Sequence, residues 1–229
     1  MKEDNYRYER KFRVTALSYS ELLNTIHYSP FLFREIYYPR TVNNIYLDSF
    51  DLENYFDNID GNSEKTKTRI RWYGNDQIKV NAPKLEFKIK RGHVGMKKIY
   101  TLSPFIFNKG FSRDHLMKVF NNSTLPDGIR ERLRHLRLSL YNKYRRQYFI
   151  SNDRRFRITL DKDVYYFRLR DISNYFLVKR SDYGTSVMEL KYSPNDDSEA
   201  TKIVEQFAFR LTKNSKYVSG VSCFTHTKR

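Results

Sequence analysis

The chain has 229 residues, with 43 Lys plus Arg against 26 Asp plus Glu, a net charge of +17 and a pI ≈ 9.8. A basic balance of this size points to phosphate-rich partners, while Gly 8, Pro 6 and 16% aromatic residues exclude a disordered basic tail and suit a β-rich domain with a packed core. One cysteine, Cys223, excludes an internal disulfide; the absence of an apolar leader in MKEDNYRYERK and of any bilayer-length apolar run leads to the expectation of a cytoplasmic protein in a reducing compartment.

No linker or repeat interrupts the chain, so a single domain over residues 1–229 is expected. A first strand is predicted over Tyr6–Val14, with Arg7, Glu9, Lys11 and Arg13 on one face and Tyr8, Phe12 and Val14 on the other. Ser18 and Glu21 form a capping box for a short helix with Leu22, Leu23 and Ile26 on its apolar side. Thr41–Asp48 reads as a strand and Asp51–Ser63 as polar turns. Three strands follow over Lys65–Tyr73, Leu85–Arg91 and Lys97–Leu102. In the first, Lys67, Arg69 and Arg71 oppose Thr68, Ile70 and Trp72; in the second, Glu86, Lys88 and Lys90 oppose Leu85, Phe87 and Ile89.

The middle is predicted helical, with Ser112 capping a helix through Leu116, Val119 and Phe120, and Asp127 capping one through Ile129, Leu133, Leu136 and Leu140. Strands resume at Tyr141–Ser151, Arg155–Asp161, Tyr165–Arg170, Tyr175–Arg180 and Ser186–Tyr192. Asp196–Leu211 carries the strongest helix signal: Pro194 before it, an acidic first turn, and Ala200, Ile203, Val204, Phe207 and Leu211 on one face. Asn214–Phe224 reads as a final strand or loop.

Strands adjacent in sequence favour antiparallel pairing, hence an α+β fold: an antiparallel β-tunnel or barrel of about eight or more strands, flanked by helices and a C-terminal helix. Periodicity alone leaves open a sandwich with wet charged faces. Arg at positions 69, 71, 146 and 157 favours the tunnel, because a guanidinium makes fixed bidentate phosphate contacts.

The motifs ERKFRV, TRIRWYG, LEFKIKRG, YRRQYF followed by RFRITLD, VMELKY and KNSKYVSGV stand in a recognisable order. The chain resembles the polyphosphate polymerase (VTC) domain family of the triphosphate tunnel metalloenzyme, CYTH-like, superfamily, from about Tyr6 to Val221. The resemblance implies a tunnel that binds ATP and a growing inorganic polyphosphate chain, or its triphosphate and pyrophosphate fragments. It assigns catalytic positions to Lys11, Arg69, Arg71, Lys88, Arg146, Arg157 and Lys216. Substrate contacts fall to Lys97, Tyr144, Lys191 and Ser215, and metal binding to Glu189 with Glu9 and Glu86 as further candidates.

One departure matters. Triphosphatases of the superfamily open with ExExK, and here Arg7 replaces the first glutamate. That disfavours a complete hydrolytic metal site and suits the polymerase branch. The phosphate-sensing module and membrane segment of eukaryotic members are not expected from this sequence, so a membrane partner would be encoded elsewhere.

The implied chemistry needs no side-chain nucleophile. Phosphoryl transfer asks for alignment and charge neutralisation, which Arg and Lys supply, and for a Lewis acid: Mn²⁺ or Mg²⁺ held at Glu189 beside Lys191. The alternatives are a triphosphatase or polyphosphatase on the same tunnel and a non-catalytic polyphosphate-binding module. Nucleic acid, which the charge and interleaved aromatics permit, is the less favoured partner.

Overall fold

The computed structural model describes residues 7–74, 79–91, 94–174, 179–207 and 209–225. The elements run β1 (Tyr8–Val14), α1 (Tyr19–His27), β2 (Arg34–Asp48), α2 (Glu53–Ile59), β3 (Glu64–Tyr73), β4 (Lys79–Val80), β5 (Lys84–Arg91), β6 (Val94–Thr101) and β7 (Phe105–Ile106). They continue α3 (Arg113–Asn121), α4 (Asp127–Arg134), β8 (Arg137–Ile150), β9 (Arg157–Arg168), β10 (Lys179–Ser181), β11 (Ser186–Tyr192), α5 (Asp197–Glu205) and α6 (Lys216–Thr225). Hydrogen bonding orders the strands β1-β11-β9-β8-β2-β3-β5-β6, with β10 beside β9 and β4 paired with β7 apart. The registered pairs of the main sheet are antiparallel, as expected of an α+β chain with strands in succession.

The chain divides into two compact units, with β2, β8 and β9 contributing residues to each. The first comprises residues 1–41, 144–164 and 182–214. Its core gathers the apolar faces of β1, β9 and β11, namely Phe12, Val14, Ile158, Leu160, Met188 and Leu190, with Phe156 just before β9, against Leu22 and Ile26 of α1 and Ala200 and Ile203 of α5. The second comprises 42–143, 165–181 and 215–229. There Ile45, Leu47, Ile70, Trp72, Leu85 and Phe87 from β2, β3 and β5 pack with Leu116, Val119 and Phe120 of α3 and Leu133 of α4. Period-two alternation thus sends one face of each strand into a core and leaves the polar face for chemistry.

The expected capping box is present: Ser18 Oγ accepts from the Glu21 N–H, and Glu21 accepts from the Ser18 N–H at 2.7 Å. Ser112 caps α3 as expected. Other expectations change. Asp51–Ser63 contains α2, entered through Leu52 in the left-handed region at φ 59. Arg155–Asp161 and Tyr165–Arg170 are parts of one strand, β9. The helix expected to run to Leu140 ends at Arg134, because Leu136, Leu138 and Leu140 alternate with Arg137 and Ser139 and are buried with the period of a strand. Residues 175–178 of another expected strand lie outside the described ones.

The helix expected over Asp196–Leu211 stops at Glu205. Beyond it the backbone straightens, Leu211 bridges Phe12, and the Thr212 N–H donates to the Lys11 carbonyl at 2.8 Å. Pairing with β1 replaces the last helical turns. The tail expected as strand or loop is helix α6, whose buried Tyr217, Gly220 and Val221 follow helical spacing. Gly220 is required by contact: a Cβ there would lie 2.3 Å from Leu140 Cδ2 and 2.6 Å from a Tyr166 ring carbon, both in buried side chains.

Candidate functional site: two clusters of fixed cations

In the first unit, cross-strand register sets opposite charges face to face. Lys11 of β1 lies opposite Glu189 of β11, and Glu9 opposite Lys191. Lys191 in turn lies opposite Arg157 of β9, and Glu189 opposite Thr159. Each lysine touches both carboxylates. Lys11 Nζ is 3.5 Å from Glu9 and 3.7 Å from Glu189, while Lys191 Nζ is 3.2 Å from Glu189 and 3.6 Å from Glu9. Alternation of this kind stabilises a sheet and pins each ammonium in place.

Arg146 of β8 is held differently. Its Nε and Nη2 donate to the two oxygens of buried Asp161 at 2.5 and 2.7 Å, and Nη2 lies 3.6 Å from Glu189. Burial disfavours the Arg146 charge, but Asp161 outweighs burial and holds the pKa well above the ordinary value. Tyr144, two residues back on the same face, is buried with the Arg146 guanidinium 5.3 Å from its ring centroid. Arg157 is exposed and, among the described residues, has no ion-pair partner.

In the second unit, register produces the opposite pattern. Lys67 of β3, Lys88 of β5 and Lys97 of β6 occupy directly facing positions, so three ammonium-bearing residues cross the sheet in one row. The next row is compensated: Arg69 faces Glu86 and grips it through Nε at 2.8 Å and Nη2 at 2.6 Å, and Lys97 Nζ reaches the other oxygen at 2.7 Å. Burial pushes the Glu86 carboxyl up, but Arg69, Arg71 and Lys97 more than offset it and bring it down to about 2. Burial, together with the charges of Arg69 and Arg71, lowers the Lys97 pKa against the pull of Glu86.

Lys67 Nζ donates to Ser215 Oγ at 2.9 Å, and the same oxygen accepts from the Val218 N–H at 3.4 Å in the first turn of α6. Lys216 is the first residue of that helix. The expected Ser215–Lys216 pair therefore sits at a helix N-terminus beside Lys67, a setting that favours an anion.

The sequence reading named Lys11, Arg146, Glu189, Lys191 and Glu9, which lie in one unit, and Arg69, Arg71, Glu86, Lys88, Lys97 and Ser215, which lie in the other. It missed the groups that hold them. Arg71 donates from Nε to Asn44 Oδ1 at 2.7 Å, and Asn44 Nδ2 donates to Asn142 Oδ1 at 2.8 Å, with both asparagines fully buried. A signal was there: TVNNIYLD places two asparagines inside a strand, where asparagine is depleted unless its amide has work. Among the described residues, no three His, Cys, Asp or Glu side chains gather as a metal site.

An antiparallel α+β sheet whose polar faces carry fixed, partly compensated cations defines a class of anion-handling protein. The chain belongs to the VTC domain family, whose model matches residues 6–225. No curated protein matches it. Among solved structures, the fold is similar to the PH1819 protein from Pyrococcus horikoshii OT3, at 15% identity and a TM-score of 0.51, covering 96% of this chain and 98% of that one. It is also similar to the putative adenylyl cyclase HpAC1 from Hippeastrum, at 12% identity and a TM-score of 0.51, covering 95% of this chain and 96% of that one. That second structure is described as revealing a dominant triphosphatase activity. No helix of the described residues is long and apolar enough to cross a membrane.

Proposed function

We propose that this VTC-domain protein is a polyphosphate polymerase that moves the γ-phosphate of ATP onto a growing inorganic polyphosphate chain. The observation that carries the reading is the row Lys67–Lys88–Lys97. Lys97 is also paired with Glu86 and Lys67 with Ser215, yet like charges at facing positions repel across a sheet, and a bound polyanion offsets that repulsion along the row.

In this reading Lys67, Arg69, Arg71, Lys88, Lys97, Ser215 and Lys216 hold phosphate groups on the second unit. Lys11, Arg146, Arg157 and Lys191 do so on the first, with Tyr144 packed behind Arg146. A terminal oxygen of the acceptor chain bonds to the γ-phosphorus, the bond from that phosphorus to the bridging oxygen breaks, and ADP leaves with the oxygen and its electrons. The cations offset charge on the transferred group.

Glu189 and Glu9, which share Lys11 and Lys191 at 3.2–3.7 Å, would hold a hard divalent ion once those ammoniums turn to bound phosphate, with its remaining ligands from phosphate and water. Mn²⁺ or Mg²⁺ bound there supplies Lewis acidity. Glu86, gripped by Arg69 and Lys97, fits a counter-ion better than a metal ligand.

The second reading is a triphosphatase, favoured by the activity described for the Hippeastrum structure. Arg7, where triphosphatases of the superfamily carry a glutamate, favours the polymerase. Incubation with ATP and Mn²⁺, followed by a gel that resolves phosphate chains, separates the two. The polymerase gives ADP and a ladder. ATP consumed with no chain longer than pyrophosphate would mean hydrolysis. Glu189→Gln should bind tripolyphosphate and lose turnover.

A further inference from the structure

We infer that Tyr37, Arg40 and Tyr148 form a stacking subsite for the purine base of a nucleoside triphosphate whose phosphates lie on the cations of the first unit. The inference rests on the polymerase reading and names its donor class. Tyr37 and Tyr148 meet edge to face, with centroids 5.5 Å apart and planes at 90°. The Arg40 guanidinium lies 4.4 Å from the Tyr37 centroid and 5.8 Å from that of Tyr148. The Arg146 guanidinium lies 6.0 Å from the Tyr148 centroid. Tyr148 is therefore shared between this platform and the Arg146–Glu189 cluster.

The pair also supports the sheet as a cross-strand aromatic contact between β2 and β8. Neither tyrosine belongs to the hydrophobic core of the unit. Tyr37 is 50% exposed, Arg40 is exposed, and both stand on the part of β2 that precedes its pairing with β3. Pro39 lies between them, and Gln147 Nε2 of β8 donates to Glu35 Oε1 at 2.9 Å. Two aromatic rings and a planar cation make a surface on which a base stacks, worth about 1–3 kcal/mol per base by truncation. Inorganic triphosphate has nothing to place there.

The test is calorimetric titration of the full chain with ATP, CTP and tripolyphosphate. Wild type should bind ATP more tightly than CTP. Tyr37→Leu should bind ATP about tenfold more weakly, lose the preference over CTP, and bind tripolyphosphate within about twofold of wild type, a loss within the range for one base stack. Tyr37→Trp should restore the ATP preference. Equal ATP affinity in wild type and Tyr37→Leu overturns the subsite and leaves the polymerase reading standing. So does parallel loss of all three ligands, which marks a structural role. Wild type that binds neither ATP nor tripolyphosphate overturns both.

Discussion

Arg71 gives its Nε–H to the neutral amide oxygen of Asn44 at 2.7 Å, whereas Arg69, two residues earlier on β3, gives its own to the carboxylate of Glu86 at 2.8 Å. The two guanidiniums share a strand face and differ in what holds them. The amide fixes the fork and adds no charge of its own, while Glu86 acts on Arg71 through its field. Asn44→Asp keeps the shape and the acceptor for Arg71 and supplies a full counter-charge, while losing the donor to Asn142. We expect a protein that still folds, at some cost in melting temperature from that lost donor, and whose tripolyphosphate Kd rises about tenfold, the scale of one charged hydrogen bond. Calorimetry checks it; an unchanged Kd would remove Arg71 from the phosphate contacts.

The facing lysines lead to the opposite trade. Lys88→Gln, at the centre of the row between Lys67 and Lys97, relieves like-charge repulsion of about 0.5 kcal/mol. The ligand-free melting temperature should rise by about 1–2 °C at low ionic strength, with the gain fading in molar salt, while tripolyphosphate binds more weakly. A lower melting temperature at low salt would show that Lys88 serves the fold.

Glu86 should govern part of the acid limb of stability. Its folded carboxyl is brought down to about 2, well below its ordinary value. The stability it contributes is therefore complete above the ordinary carboxylate range and is lost as pH falls towards about 2. The difference in unfolding free energy between wild type and Glu86→Gln should be about 2–3 kcal/mol and flat from pH 6 to 8, and should shrink steadily below about pH 4.5. Urea titrations at each pH measure it. A pH-independent difference would contradict the assignment.

Arg146 and Asp161 form a buried bidentate pair, so removing either partner deprives the other of two charged hydrogen bonds in a buried site. Arg146→Ala and Asp161→Asn should each destabilise the protein by about 3–5 kcal/mol, and the doubly apolar Arg146→Met/Asp161→Leu should regain most of that loss. Loss of activity in Arg146→Ala therefore has to be read beside its unfolding curve. A single variant within about 0.5 kcal/mol of wild type would show the pair to be dispensable.

Most of this architecture was legible because alternation survives into the fold: Phe12, Ile70, Phe87, Ile158 and Leu190 are buried where period two put them. Elements failed where two periods overlapped. Leu136 and Leu140 suit a helix from Asp127 and a strand from Arg137 equally well, and Ala200 to Leu211 carries helical spacing past the point where pairing with β1 takes over. The tail Asn214–Phe224 read as strand or loop, but Gly220 fits a close contact on the buried face of helix α6. For the site, motif order located the cations, while their partners could not be read from it. Asn44, Asn142 and Asp161 act through contacts tens of residues distant, and only strand register shows that Glu9 and Glu189 share two lysines while Lys67, Lys88 and Lys97 face one another.

The most direct test follows the phosphorus resonances of ATP with the protein and Mg²⁺ over time. Growth of the signal from phosphates bridged on both sides, matched by ADP and absent with Glu189→Gln, is the predicted result. Orthophosphate accumulating in step with ADP, and no bridging signal at any time, would contradict chain elongation.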